Sequence, residues 1–461
     1  MSKPSITNLA NCIEDVRRAG IEGDASPGDP TNYHQLRARL FAVRNTLPPL
    51  YRATVYDPYV RTLDDLGEWG FTTILLRDPH GQGLGGLMLD IAQAVLQNGE
   101  RYEQLATDGF QEVVSDLYDG FLSAEDRHGV KPPDKGVTAP LVKWGNAHFG
   151  PYTFTVEATA TFGVGAAIVS LPPTNARRGL MAWATLGHET AGHDILHADT
   201  GLHAELARSV RHALGQHNNP LADYWAAKID ETASDVLGIL NMGPAAGMGL
   251  VAYFRGLRAA SEDGKAKLSN HGSSLSPHPL DLLRAYLAAS TVQLCSFSEA
   301  KAWAKVIEDE ADKDLEQLRI DHLPINADVA RESAEIVAET IVKQKLRSLE
   351  DHALGDIQDW RDHDEAIVEH LRPLLRASGA LPLEVVAGTY AAHVVAAAVS
   401  AALERHADIP LIFRRMLSLL KLMHDFNPSW GPLFVAHPSD VARHAAFDAS
   451  SLLALPSRLV A

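Results

Sequence analysis

Ten residues, His188 to His197, carry three histidines and two carboxylates on a stretch whose apolar positions begin at Leu180 and Met181. So dense a set of histidines and carboxylates on a helix needs an explanation, and a metal site is one. Cys12 and Cys295 are the only cysteines, too few and too far apart for a thiolate site, so the ligands of any metal must be His and carboxylate.

In an H-E-x-x-H zinc helix the two His stand four apart, and the Glu between them reaches water at the metal. Here His188 and His193 stand five apart in Gly187-His-Glu-Thr-Ala-Gly-His-Asp. At ~100° per residue a regular helix would point their rings roughly 140° apart. A one-residue π-bulge restores a shared face, and Gly192 makes that distortion cheaper. A competing pair, His193-Asp-Ile-Leu-His197, has H-D-x-x-H spacing, needs no bulge, and makes Asp194 the base; otherwise His197 stands behind the ligands or is solvated.

His188-Glu-Thr-Ala-Gly-His193 resembles the H-E-x-x-G-H signature of the dipeptidyl peptidase III family of zinc metallopeptidases. A second match, Glu231-Thr-Ala-Ser-Asp235, lies on another helical stretch and is similar to that family's E-x-x-x-D motif and to the E-x-x-S-D helix of thermolysin-like gluzincins. The family pattern has Glu where Asp230 stands.

The resemblance implies a zincin-like architecture and one zinc ion held by His188, His193 and Glu231, with a coordination position left open. It implies that Asp235 orients a ligand imidazole and that Glu189 is the general base. It also implies a His or Tyr that stabilises the oxyanion: His278 is favoured, with His271, Tyr152 and Tyr224 as the other candidates. The expected substrates are short peptides. The alternatives are a zinc-dependent hydrolase acting on a small amide or ester, and a non-catalytic zincin-like binding protein whose site His197 closes as a fourth ligand.

The chain surrounding these motifs reads as mainly α with a small antiparallel β-sheet. Apolar residues recur at helical spacing over Ile6–Ala19, Asn32–Arg44, Leu87–Leu96 and Arg101–Ser123, and again from Ala176 onward, broken at Gly243–Gly247, at the loop Ser269–Pro279 and near Pro324, Pro382 and Pro432. Between Gly136 and Pro173 the chemistry turns β-like, with Tyr152–Phe162 and Ala166–Leu171 as strands. Tyr152–Phe162 precedes the metal helix, the position of a strand to which an extended peptide could add. The division expected is a helical domain at 1–134, a catalytic domain at 135–300 and a helical domain at 301–461.

Three further patterns are read structurally. Gly81-Gln-Gly-Leu-Gly-Gly86 follows the strand-like Phe71–Leu76 but lacks the continuing βαβ unit that a dinucleotide site needs, and reads as a loop before a helix. His278-Pro-Leu-Asp-Leu-Leu-Arg284 and His437-Pro-Ser-Asp-Val-Ala-Arg443 share H-P-x-D-x-x-R, which suits a helix start. The acidic run Glu308–Glu316 reads as a solvated helix face.

A net charge of −17 argues against nucleic-acid and anionic-membrane partners, both of which require clustered Lys and Arg. The uncharged stretch Val385–Leu403 is Ala-rich with a His inside, and reads as a buried helix rather than a membrane span. The N-terminal stretch lacks the apolar core of a signal peptide, so the expected location is the cytoplasm.

Overall fold

The computed structural model of the chain describes residues 4–23, 27–122, 127, 129–131, 133–134, 138–146, 150–261, 264–430 and 452–453. It is mainly helical, with two small three-stranded sheets. The expected helices form at Leu9–Glu22, Tyr33–Val43, Leu84–Gly99 and Gln104–Leu122. The segment His437–Arg443 and Pro432 lie outside the described residues.

The axis of the fold is the helix Ile229–Ala260, 32 residues long and buried along most of its length. It packs against the Gly187–Asp194 segment and against the helices Leu9–Glu22, Asp281–Leu294 and Ala391–Leu403. Sequence reading breaks the chain at Gly243–Gly247, but the helix instead kinks there. Gly243 has φ 59° and ψ −149°, Pro244 follows it, and a β-carbon on Gly243 would lie 2.4 Å from Nε1 of Trp360. This helix is apolar and long enough to cross a membrane, yet its apolar window is wholly buried in the protein, as is the shorter Ala391–Leu403.

The first sheet is mixed rather than antiparallel. Strands β1 (Leu141–Trp144), β2 (Tyr152–Phe154) and β3 (Ile168–Leu171) lie in the order β1-β3-β2, with β1 parallel and β2 antiparallel to β3. Side-chain amides close the outer edge of β1. Gln97 exchanges bonds with the Trp144 N–H and C=O at 2.7 and 3.0 Å, Asn98 donates to Val142 O at 2.8 Å, and Gln111 donates to Pro140 O at 2.9 Å. With those groups satisfied, β2 is the edge of this sheet that borders the Gly187–Asp194 segment. A second mixed sheet joins β4 (His271–Gly272), β5 (Arg319–Ile320) and β6 (Leu323–Pro324).

Two strand expectations give way to helix. Tyr152–Phe162 is a strand only to Phe154, and Val156–Thr159 begins a helix whose first amide, Val156 N–H, is held by Asp194 Oδ1 at 3.3 Å. Phe71–Leu76 lies in the part of the helix Asp57–Arg77 that follows a kink at Gly67, where Gly70, Phe71 and Ile74 make a buried face at helical spacing that outweighs local β-propensity. The glycine turn 81–86 is filled from within: the Asp78 carboxylate accepts N–H bonds from Gln82, Gly83 and Gly86 at 2.8 to 3.0 Å.

The acidic run is not wholly solvated. Glu310 and Asp314, on the helix Ala300–Asp314, are buried and clamp Arg255 of the long helix at 2.8 and 2.7 Å.

Candidate metal centre

Gly187–Asp194 is wound as a π-helix of eight residues, following the short helix Leu180–Ala184. Its i→i+5 repeat suits a pair five apart, and it brings His188 Nε2 to 3.0 Å from His193 Nε2 with the rings nearly perpendicular. Opposite them, in the first turn of Ile229–Ala260, Glu231 places Oε2 3.4 Å from His188 Nε2 and Oε1 3.6 Å from His193 Nε2. One ligand atom from each of the three residues falls within a 4.8 Å group that could hold a metal ion.

The donor set fits a small divalent cation. Tetrahedral ligands at zinc distances stand about 3.3 Å from one another, close to the separations seen here. Glu231 Oε2 is buried without a hydrogen-bond partner, an acceptor that a cation would satisfy.

Behind the donors, each imidazole is held through its other nitrogen. His188 Nδ1–H donates to Asp235 Oδ1 at 2.8 Å, and His193 Nδ1–H donates to Asp230 Oδ2 at 3.0 Å. That leaves each Nε2 as the nitrogen that faces the cluster, where a cation would take the place of a proton. Asp235 is fully buried and receives two bonds from Arg284, each 2.7 Å long, while the Arg284 guanidinium lies 4.6 Å over the Phe254 ring.

The electrostatics follow from these pairings. Burial disfavours a charged His188, but Asp235 and Glu231 outweigh it and push its pKa up to about 10 in the metal-free site. Burial likewise opposes a charged Glu231, yet His188, His193 and Arg284 bring its carboxyl down to about 2. Asp235 stays well below the ordinary carboxylate range, because Arg284 and His188 overcome a large desolvation cost.

Glu189 is buried on the same π-turn, with Oε2 2.8 Å from the Thr153 hydroxyl of β2. His278, from the segment preceding the helix Asp281–Leu294, brings Nε2 to 3.3 Å from Glu231 Oε1 and leaves 58% of its side chain exposed. The other oxyanion candidates point elsewhere: the Tyr152 hydroxyl donates to Asp90, the Tyr224 hydroxyl accepts the Leu280 N–H, and His271 is exposed on β4.

His197 is outside the ligand group. Its ring sits between Asp230 Oδ1 at 3.4 Å and Glu157 Oε2 at 3.5 Å, and stacks on His203. Asp194, the base of the H-D-x-x-H alternative, is buried beside Val156 with its carboxyl pushed up to about 6 by desolvation. Among the described residues the metal-competent group is therefore the pair five apart, joined by Glu231.

Three contributors escaped sequence reading. Asp230 is the anchor of His193; its only signal was its place beside Glu231. Arg284 is the counter-ion of Asp235, and was visible only as the last letter of H-P-x-D-x-x-R. Thr153 lay within a stretch read for its strand chemistry alone. Comparison of the chain with protein families, with curated proteins and with solved structures finds no match, so the function is argued from this geometry.

Proposed function

We propose that the chain is a zinc-dependent hydrolase, a peptidase acting on short peptides. The observation that carries this reading is the convergence of His188, His193 and Glu231 into one cation-competent group, with Glu189 next to His188 on the same π-turn and outside the ligand set. Two imidazoles and one carboxylate form a donor set that suits zinc.

The bound ion would supply a Lewis acid that polarises a carbonyl and acidifies water toward pKa ~7. The protein's own groups do the rest. Glu189 accepts the proton of the attacking water and delivers it to the leaving amine, held in place by Thr153. His278 donates to the oxygen on which negative charge develops. Asp235, Asp230 and Arg284 keep the ligand imidazoles aimed. The β2 edge beside the π-turn supports an extended peptide as substrate over a compact small molecule. The acidic net charge and two buried, unbridged cysteines fit a soluble setting in a reducing compartment, and we place the enzyme in the cytoplasm.

The test is zinc content by elemental mass spectrometry, combined with an equimolar pool of internally quenched hexapeptides. Wild type should bind one zinc and cleave members of the pool, while Glu189→Gln should keep the zinc and lose cleavage. Zinc retention with an intact small-amide turnover and no peptide cleavage would select the non-peptide hydrolase. Full cleavage by Glu189→Gln would remove Glu189 from the mechanism.

A further inference from the structure

Lys228 lies three residues before Glu231 and is almost completely buried. Its carbonyl accepts both the N–H and the hydroxyl of Thr232, so its main chain is part of the first turn that carries Glu231. Its side chain runs the other way. Nζ donates to Ser274 O at 3.0 Å and to Ser276 O at 2.6 Å, and lies 4.7 Å from the centre of the Tyr224 ring.

The segment it grips is the one that delivers His278. Asp321 accepts from the Ser273 hydroxyl and the Ser274 N–H, the Ser276 hydroxyl accepts the His278 N–H at 3.2 Å, and Tyr224 holds the Leu280 N–H at 2.9 Å. Between those flanking ties, Lys228 alone fixes the two carbonyls of the 274–276 turn among the described contacts. Burying an ammonium against neutral carbonyls is costly, and burial accordingly lowers its pKa. An apolar side chain of equal length would fill the same space without that cost, but it could not hold the turn.

We propose that Lys228 is a positioning residue: through the Ser274 and Ser276 carbonyls it sets the reach of His278 to the Glu231 end of the metal centre. Its role in turnover rests on the peptidase reading; its hold on the loop does not. One residue thus couples the helix turn of a metal ligand to the loop of the charge-stabilising imidazole.

The experiment compares full-length wild type with Lys228→Met, Lys228→Arg, His278→Ala and the Lys228→Met/His278→Ala double variant. Hydrogen exchange read by mass spectrometry on peptides covering 269–283 should rise at least severalfold in Lys228→Met, with the 229–242 turns unchanged; unchanged exchange in 269–283 overturns the proposal. With a peptide that wild type cleaves, Lys228→Met should lower kcat about tenfold at nearly constant KM and full zinc content, since small misplacements of a reacting group are costly. Lys228→Arg should restore part of kcat. The Met substitution should add nothing to His278→Ala, and independent, multiplying losses overturn the proposal. Should Lys228→Met not fold, Lys228→Gln takes its place in each arm. If wild type cleaves no peptide, the peptidase reading fails and the exchange result alone decides whether Lys228 holds the loop.

Discussion

Gly192 lies directly against Ser234: a β-carbon at 192 would stand 2.3 Å from the Ser234 β-carbon and 2.5 Å from its Cα. Sequence reading assigned Gly192 to easing a bulge. The structure adds a second reason, which is close approach of the π-turn to the helix carrying Glu231 and Asp235. The missing side chain allows the two halves of the candidate metal centre to approach this closely.

Gly192→Ala should therefore force those halves apart. Overpacking of a tight contact costs about 1–3 kcal/mol, and a shift of even half an ångström separates Glu231 from the imidazoles. We expect a lower denaturant midpoint together with weaker zinc binding by competition with a chromogenic chelator. Wild-type zinc affinity in a folded Gly192→Ala protein would show that the contact does not set the site.

The ligand assignment predicts an asymmetric outcome among the histidines. His188→Ala, His193→Ala and Glu231→Ala should each lose zinc on dialysis, whereas His197→Ala, whose ring lies between Asp230 and Glu157, should retain one ion per chain. Loss of zinc from His197→Ala with retention by His188→Ala would return the site to the H-D-x-x-H pair.

Removing Arg284 should be costly even without metal. Arg284→Met leaves Asp235 buried with one of its two partners gone, a situation worth about 3–5 kcal/mol, and urea unfolding of the zinc-free protein should register a loss of that order. The pH dependence has a defined sign. Because the folded Asp235 carboxyl titrates below its unfolded value of about 3.9, its stabilisation is complete above that pH and is lost as pH falls toward the depressed folded value. Wild type should lose this contribution in acid, and Arg284→Met should have less of it to lose.

Asp235→Asn, by contrast, keeps the shape and removes the charge. Such changes behind a metal ligand weaken binding by about 10–100-fold. Zinc affinity should fall by that factor at pH 7, and an unchanged affinity would mean that the His188 to Asp235 bond does not tune the ligand.

Thr153→Val replaces the hydroxyl that holds Glu189 with a methyl group of the same shape. Zinc content and fold should be unchanged, while kcat on a cleaved peptide should drop on the order of tenfold through loss of orientation. Thr153→Ser should recover most of the rate, since it restores the donor.

The chain's local pattern made much of this legible. The π-turn was read from a spacing of five, and the helical class from recurring apolar positions. Less legible were features whose partners are remote. Phe71–Leu76 is β-like residue by residue, yet Gly70, Phe71 and Ile74 give it a buried helical face. Val156–Thr159 alternates like a strand, but Asp194, 38 residues on, holds its first amide and lets a helix start there. Glu310 and Asp314 look like solvated acids until Arg255 comes from another helix to meet them.

By itself, the sequence determined the donor types, their grouping at 188–193 and 231–235, and the need for a distorted helix, because helical phase depends only on spacing along the chain. Tertiary structure decided which imidazoles face one another, that His197 stands aside, and that Asp230, Arg284 and Thr153 meet His193, Asp235 and Glu189 while Lys228 meets the 274–276 turn. Those choices depend on close packing between segments tens of residues apart, where a contact such as Gly192 on Ser234 fixes which side chains can reach each other.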